Sequence, residues 1–312
     1  MRAIVTGGAG FIGSHVVDAL AARGDEVVVL DNLSSGRQEN LAPQAALVTA
    51  DVRDGEAVEG AFAAAQPEVC FHLAAQANVR VSVERPGFDS EVNVGGTINV
   101  LEAARLHGAR VVFASTGGAI YGECDGPAAE DAPHRPLAPY GASKLAGEEY
   151  LATWNRLHGS EHVSLRYGNV YGPRQDPHGE AGVVAIFLGL LAQGEDLHVY
   201  GDGRQTRDYV FVGDVVEATL AAAAQPGGVF NVGTGIETSV LDLVAACGRV
   251  SGADVATVFD PPRLGELSRN VLDPARAERE LGFRARTPLD EGLAATWESI
   301  REGEGEDEPG AN

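Results

Sequence analysis

The sequence predicts an α/β protein whose first part is a doubly wound parallel sheet with helices on both faces. Short β-branched runs, namely AIVTG, EVVVLD, ALVTAD, VCFHLAA and RVVFAST, alternate with Ala- and Leu-rich stretches of helical length. These runs are apolar throughout, as strands are when helices cover both faces of their sheet. We therefore expect one such domain over residues 1–166.

The order of the elements follows from the residues between these runs. AIVTG leads into the glycine-rich TGGAGFIG, and the helical stretch 11–23 comes next. Further helical stretches occupy 55–65 and 90–107, each between two apolar runs. Parallel neighbours need such a crossover between them, so the alternation favours a parallel sheet.

The pattern changes after residue 166. Pro173, Pro177 and several glycines precede the helical stretch 182–193, and the shorter strand candidates LHVYGDG, DYVFVGDV and GVFNVGTG follow. We expect a smaller, mixed α/β C-terminal substrate domain over 167–300, interleaved with the first around 205–235. The last segment, REGEGEDEPGAN at 301–312, is acidic and Gly-rich, and is predicted to be a disordered tail.

Composition excludes several classes of function. A net charge of −22 leaves no basic stripe for a phosphate backbone, so we expect neither nucleic-acid nor membrane binding. The three cysteines are widely spaced without a CxxC pair, and the histidines form no ligand pattern, so no metal site or disulfide framework is predicted. Glycines interrupt the N-terminal apolar stretch, which argues against a signal peptide and for a cytoplasmic protein.

The segment TGGAGFIG has the form of a dinucleotide-binding turn. Gly7, Gly10 and Gly13 follow a strand and open a helix, where backbone N–H groups can approach a pyrophosphate. Asp31 ends the second strand 18 residues after Gly13, where a carboxylate can accept hydrogen bonds from ribose hydroxyls. Asn32 follows it in place of an arginine, so this Rossmann-type pattern favours NAD over NADP.

Two features near this turn have alternative interpretations. Arg37 is close enough in sequence to Asp31 to leave NADP open. Asp51 and Val52, in ADVRD, end another predicted strand, where they could contact an adenine edge. A simple strand cap or turn explains the same two residues equally well.

A second group of residues points to proton chemistry. Tyr140 and Lys144, in YGASK, lie four apart in a helical stretch and therefore about one turn apart on one face. Lys144 is the only lysine in a chain with 22 arginines. A nearby ammonium favours the phenolate form of a tyrosine and so makes it a usable base. Ser115 and Thr116 place hydroxyls at the end of the strand RVVFAST, at the sheet edge where ligands bind.

Taken together, TGGAGFIG, Asp31, FHLAAQA, Asn93, FAST and YGASK resemble the extended short-chain dehydrogenase/reductases of the NAD-dependent sugar epimerase/dehydratase family. The resemblance covers residues 1–300. Within the family it is greatest to the enzymes that epimerise UDP-sugars at C4. It implies an isomerase that interconverts UDP-glucose and UDP-galactose through a transient 4-keto sugar and regenerates NAD in each cycle.

The resemblance also implies roles for individual residues. Tyr140 would remove the proton of the sugar 4-OH, and Lys144 would bind the nicotinamide ribose and lower the pKa of Tyr140. Thr116 would hold the 4-OH, with Ser115 as the alternative, because STGGAIYG is one residue longer than the familiar pattern. The implied lining of the cofactor consists further of Phe11, Ile12, Leu73, Ala74, Ala75, Asn93 and Tyr167. The implied contacts to the UDP part are Asn169, Tyr200, Arg207, Tyr209, Arg263 and Glu266.

Three other functions share parts of this pattern. Sugar 4,6-dehydratases carry an Asp-Glu pair after the threonine, and Gly117 and Gly118 stand there instead. UDP-glucuronate 4-epimerases keep the same catalytic set, and Arg174 could bind the substrate carboxylate, although a structural ion pair is favoured. A non-enzymatic dinucleotide sensor or scaffold would keep the fold. The resemblance finally favours a homodimer through helices near 97–106 and 143–157.

Overall fold

The central element of the structure is a parallel sheet of seven strands. The structure is a computed structural model that describes residues 1–177, 182–262 and 267–306. The strands of the sheet are β1 (Arg2–Thr6), β2 (Glu26–Asp31), β3 (Ala46–Thr49), β4 (Val69–His72), β5 (Arg110–Thr116), β6 (Val163–Tyr167) and β11 (Gly228–Val232). Their spatial order is β11–β6–β5–β4–β1–β2–β3, and every neighbouring pair is parallel. The predicted fold class is confirmed.

Helices cover both faces of this sheet. On one face α1 (Phe11–Ala22) packs against α9 (Val212–Ala222), and their apolar residues share a core with the sheet. On the other face α2 (Gly55–Ala65), α5 (Gly96–His107) and α7 (Pro139–His158) enclose a second core. Strand residues such as Ile4 and Phe71 are fully buried because helices lie on both sides.

The second region is built around a third apolar core. Its helices are α8 (Val183–Ala192), α10 (Val240–Ser251) and α12 (Leu289–Glu306). Three short strand pairs accompany them: β7 (Asn169–Tyr171) with β10 (Tyr209–Phe211), β9 (Thr206–Arg207) with β12 (Thr238–Ser239), and β8 (Leu197–Tyr200) with β13 (Thr257–Asp260). The chain returns to the first region at α9 and β11, so the two regions share the main sheet.

The C-terminal helix is longer than the sequence suggested. Residues 301–306, predicted to belong to a disordered tail, continue α12, and 307–312 lie outside the described residues. The apolar face of α12, which includes Leu293 and Trp297, packs in the third core and nucleates the helix. Each further residue then adds one backbone hydrogen bond to a helix that has already formed, which favours elongation past the packed part.

The remaining helices are short and lie near the carboxyl ends of the central strands or beside β11. They are α3 (Val79–Glu84), α4 (Pro86–Ser90), α6 (Gly117–Ile120) and α11 (Ala275–Glu280). A single π-helical turn, Glu91–Gly95, joins α4 to α5. Such turns insert one extra residue into a helix and are frequent at functional sites. The turn here carries Asn93, one of the predicted site residues.

Two helical glycines give a matched test of this packing. Gly147 in α7 faces the sheet, and a Cβ there would lie 2.8 Å from Phe113 Cζ, whereas a Cβ on Gly60 in α2 meets nothing within 4 Å. Gly60→Ala is expected to raise the free energy of unfolding by about 0.5–1 kcal/mol, and Gly147→Ala to lower it. Urea denaturation of both variants measures the difference, and equal effects would contradict the described α7–sheet packing.

Candidate active site

The glycine-rich turn forms a narrow cradle between β1 and α1. Gly7 has φ +69°, and a Cβ there would lie 2.6 Å from the backbone nitrogen of Ala74. A Cβ on Gly13 would overlap the carbonyl oxygen of Gly7. No side chain of the described residues caps α1, and Gly10, Phe11 and Ile12 are partly exposed at its start. Backbone approach and a free helix N-terminus are what a pyrophosphate requires.

Asp31 is fixed at the end of β2, beside this cradle. Its Oδ2 accepts a hydrogen bond from the Ala9 backbone at 2.9 Å, and its Oδ1 accepts one from Leu33 at 2.8 Å. The residue is buried, and each carboxylate oxygen has a second lone pair that can accept another hydrogen bond. Asp31 is therefore oriented to receive two hydroxyl donors without moving.

Asp51 acts first as a turn residue. Its Oδ1 accepts a hydrogen bond from the backbone N–H of Arg53, and both of its oxygens accept hydrogen bonds from the Arg53 guanidinium. Asn32 donates to Oδ2 at 2.9 Å. The hydrogen bonds from Arg53 hold the pKa of Asp51 well below its usual range. Val52 is buried beneath Gly96. The turn interpretation thus accounts for the contacts of the Asp51 side chain, and adenine binding by these residues stays a prediction.

Lys144 is buried beneath the start of α7. Its ammonium donates to the carbonyl oxygen of Ala114 at 2.9 Å and lies 4.8 Å from the centre of the Phe113 ring. Burial lowers the pKa of Lys144 to about 8, although the charges of Asp89 and Glu148 act in the opposite direction. The amine therefore keeps its proton at neutral pH but is poised to lose it just above.

Tyr140 lies one turn before Lys144 and hydrogen-bonds to Thr116. Burial raises the pKa of Tyr140 to about 12, and the charge of Asp89 raises it further. The predicted lowering of this pKa by Lys144 is thus not what the protein alone produces. Desolvation raises this pKa because the phenolate would be the charged form in a poorly solvated place. Ionisation of Tyr140 requires additional positive charge at the site.

The two neighbouring hydroxyls at the end of β5 face different surroundings. Ser115 is buried, and its hydroxyl donates to Oε1 of Glu148. Glu148 in turn forms a buried ion pair with Arg166 at 2.6 Å. Thr116 is partly exposed on the Tyr140 side. Strand alternation thus turns the Ser115 hydroxyl into the core. A catalytic role for Ser115 stays a prediction.

Gly117 and Gly118 have different surroundings. A Cβ on Gly117 would lie 2.5 Å from Leu272 Cδ2, so a side chain there requires Leu272 to move. A Cβ on Gly118 would lie 3.1 Å from Asn169 Oδ1 and 3.7 Å from Thr116 Oγ1. The Asp-Glu pair of the dehydratases is thus replaced by two residues without side chains. The gap between Thr116 and Asn169 is where a small polar ligand can lie.

Asn93 holds the segment that follows β4. Its Oδ1 accepts from the backbone of Gln76 and its Nδ2 donates to the Gln76 carbonyl, both at 2.9 Å. These two hydrogen bonds fix the backbone of residues 73–76. Within this segment, Leu73, Ala74 and Ala75 are all partly buried. Asn93 therefore shapes the cofactor side of the site as a support, with its own amide fully used.

A series of buried polar side chains connects Asn93 to the sheet, and it was not predicted from the sequence. His72 Nδ1 contacts Thr6 Oγ1 at 2.7 Å, and its Nε2 contacts Thr97 Oγ1 at 3.0 Å. Burial lowers the pKa of His72 to about 3, so the ring is neutral. Thr97 donates onward to the Asn93 carbonyl. The sequence contains a signal for this chain of polar side chains. Asp89, Asn93 and Thr97 are spaced four residues apart and therefore lie on one face of a helix.

Several predicted ligand contacts have other partners. Tyr167 is buried and its hydroxyl bonds to Thr219 at 2.7 Å, so only its backbone faces the site. Tyr209 is buried in the third core. Arg174 forms an ion pair with Asp18 at 2.7 Å, which is a contact of the structural kind. Substrate binding by Arg174 stays a prediction.

The other predicted UDP contacts are only partly placed. Asn169 and Tyr200 are partly exposed at the ends of their strands. Arg207 donates to the carbonyls of Thr206 and Leu267, both at 2.8 Å. Arg263 and Glu266 lie outside the described residues.

Comparison with known proteins agrees with this geometry. Residues 3–233 match the model of the NAD dependent epimerase/dehydratase family. The chain belongs to this family. The predicted resemblance to it is confirmed.

Three relatives are similar over nearly their full length. A UDP-glucose 4-epimerase of Mycolicibacterium smegmatis is 50% identical over 310 residues, which covers 96% of this chain and 99% of the relative. The UDP-glucose 4-epimerase of Thermotoga maritima, solved with UDP-glucose, has a TM-score of 0.95 at 46% identity and covers 97% and 99% of the two chains. The Thermus thermophilus enzyme, solved with NAD, has a TM-score of 0.92 at 48% identity, covering 96% and 99%.

Two kinds of feature are absent from the described residues. Within 1–177, 182–262 and 267–306, no three His, Cys, Asp or Glu side chains are grouped so as to hold a metal ion. In the same ranges, no helix is both long and apolar enough to cross a membrane.

The two hydroxyls of β5 can be separated by their effect on stability. Ser115→Ala removes one of the two donors to the buried Oε1 of Glu148, the other being Arg166, and is expected to cost about 1–3 kcal/mol of unfolding free energy. Thr116→Ala, at a partly exposed position, is expected to cost less. Urea denaturation of the two variants measures both losses of unfolding free energy. A larger loss for Thr116→Ala would contradict the burial of the Ser115 hydroxyl against Glu148.

The single lysine makes its own ionisation measurable. In protein labelled with ¹³C at lysine Cε, one resonance reports on Lys144, and we expect a titration midpoint near pH 8. Because this pKa lies below the ordinary lysine value of 10.5, the folded state binds fewer protons than the unfolded state between about pH 8 and 10.5. The contribution of Lys144 to stability therefore rises with pH in that window. A midpoint above pH 10 would show that the amine is solvated.

Proposed function

We propose that the protein interconverts UDP-glucose and UDP-galactose by oxidation and reduction at C4 of the sugar. The observation that carries this proposal is the contact between Thr116 and Tyr140 at the carboxyl edge of β5, with the buried Lys144 one turn further along α7. The site lies beside the glycine cradle of α1 and β1. Relatives at 46–50% identity carry the name UDP-glucose 4-epimerase.

The residues of the first region fit NAD. The cradle that a Cβ would fill at Gly7 and Gly13 suits the pyrophosphate, and Asp31 suits two ribose hydroxyls. A carboxylate at this place repels a 2′-phosphate. Lys144 and Tyr140 would hold the nicotinamide end.

The protein residues divide the work at C4 between proton transfer and orientation. Tyr140 takes the 4-OH proton and returns it after the sugar has turned its other face. Thr116, hydrogen-bonded to Tyr140, holds the hydroxyl in line with the phenol. When bound, oxidised nicotinamide supplies the hydride acceptor and the positive charge that favours the Tyr140 phenolate. Lys144 adds a second positive charge from beneath, so the phenolate is stabilised from two sides.

The described geometry favours a neutral hexose over a uronate. Arg174, the candidate partner of a C6 carboxylate, is engaged by Asp18. Gly117 and Gly118 provide neither an acid nor a base for elimination at C5 and C6. The diphosphate would lie toward Arg207, with Asn169 and Tyr200 at the nucleotide side. A scaffold without chemistry would have no need of a buried, costly ammonium.

Turnover of purified protein tests this proposal. UDP-glucose is expected to give UDP-galactose without added cofactor, faster than UDP-glucuronate gives its 4-epimer, as resolved by proton NMR. Tyr140→Phe is expected to reduce kcat by about 10³-fold or more, since the base is lost, and Ser115→Ala by only a few-fold. Preference for the uronate, or an unaffected Tyr140→Phe variant, would overturn the assignment.

We further propose a homodimer formed through α5 and α7. The two helices lie side by side and expose large apolar side chains, with Leu106 58%, Tyr150 37% and Leu157 69% exposed. Two such helix pairs can bury these side chains against each other as a four-helix bundle.

The three cysteines are free, which fits the proposed location in a reducing cytoplasm.

The dimer is tested by changing one exposed residue. Leu157→Glu places a charge in the proposed contact and is expected to give a monomer in light scattering after size exclusion. Leu137→Glu, 62% exposed outside both helices, is the matched control and should leave the dimer intact. A monomeric parent protein, or two dimeric variants, would contradict this surface.

A further inference from the structure

Asp89 is a buried carboxylate next to the proposed reacting groups. It lies in α4 and is 1% exposed. Its Oδ1 accepts from Gln76 Nε2 and from Asn93 Nδ2, both at 3.0 Å. Its Oδ2 is also buried and accepts no hydrogen bond from the described residues. A buried carboxylate with one unpartnered oxygen is costly, so a compensating interaction is expected nearby.

Hydrogen bonds lead from Asp89 to the first turn of α7. Asn93 Nδ2, which donates to Asp89, also donates to Ser143 Oγ at 3.1 Å. Ser143 donates in turn to the carbonyl oxygen of Tyr140 at 3.0 Å. The position of Asp89 is thus transmitted through two side chains to the backbone that carries Tyr140 and, one turn later, Lys144.

Asp89 is one of two carboxylates whose negative charge acts on the buried ammonium of Lys144. The ammonium is faced by Glu148 from α7 itself, by the neutral His72 from β4, by the Phe113 ring from β5 and by Asp89 from α4. Glu148 is already paired with Arg166. Asp89, by contrast, has no ion-pair partner within 4.0 Å among the described residues.

We propose that Asp89 is a positioning residue that keeps the buried Lys144 ammonium protonated and seats the first turn of α7 through Asn93 and Ser143. The carboxylate acts through space on Lys144 and through hydrogen bonds on Tyr140. Its effect on turnover rests on the proposed function, whereas its effect on Lys144 does not. Removal of the negative charge destabilises the ammonium and stabilises the phenolate, so both groups lose their protons at lower pH.

The experiment uses the ¹³C signal of the single lysine. Asp89→Asn keeps the shape of the side chain and the Oδ1 acceptor but removes the charge. The Lys144 midpoint is expected to fall by about one pH unit or more relative to the parent protein. Glu91→Gln is the matched control, because it makes the same chemical change two residues later on a side chain that is 67% exposed. The midpoint in this control should stay unchanged.

The pH dependence of turnover provides the second readout. The alkaline fall of kcat in Asp89→Asn is expected to move to lower pH by the same amount as the lysine midpoint. A residue that only supports the fold would lower the thermal midpoint without moving either titration. If Asp89→Asn does not fold, Asp89→Ser removes the charge in a smaller volume and carries the same test. An unchanged Lys144 midpoint in a folded variant would overturn the proposal, whether or not the protein turns over a UDP-sugar.

Discussion

The burial of one ammonium group is the constraint on which the rest of the site depends. Among the described residues, Lys144 has one hydrogen-bond acceptor, the carbonyl of Ala114, together with the Phe113 ring face and two carboxylates at greater range. A buried charge is tolerated only when such partners are fixed. This explains the one lysine of the chain, because a guanidinium carries five donors in a plane and would leave several unsatisfied here.

The need to surround Lys144 organises two helices. On α7, Tyr140, Lys144 and Glu148 recur every four residues and so form one polar face. The opposing face combines Asp89 from α4 with Asn93 from the π-helical turn. The two faces meet through Asn93 and Ser143, so proton chemistry at α7 and the shape of the cofactor side are coupled.

Features set by local sequence could be predicted, and those set by distant partners could not. The glycine turn at Gly7 and the parallel sheet around it follow from turn chemistry and alternation, and the structure reproduces them. Ser115 stayed an alternative to Thr116, since its partner Glu148 lies 33 residues away. Arg174 could be assigned only when Asp18 was placed beside it. The pKa of Tyr140 also depends on burial, which the YGASK spacing does not reveal.

The most direct test of the account follows the hydrogen at C4. UDP-glucose labelled with deuterium at C4 is converted in ordinary water, and the product is examined by mass spectrometry and NMR. Transfer from C4 and back within one closed site predicts UDP-galactose that keeps its C4 deuterium, while Tyr140 exchanges only the hydroxyl proton. Loss of the label to water would contradict the account, because C4 would then have exchanged its hydrogen as a proton.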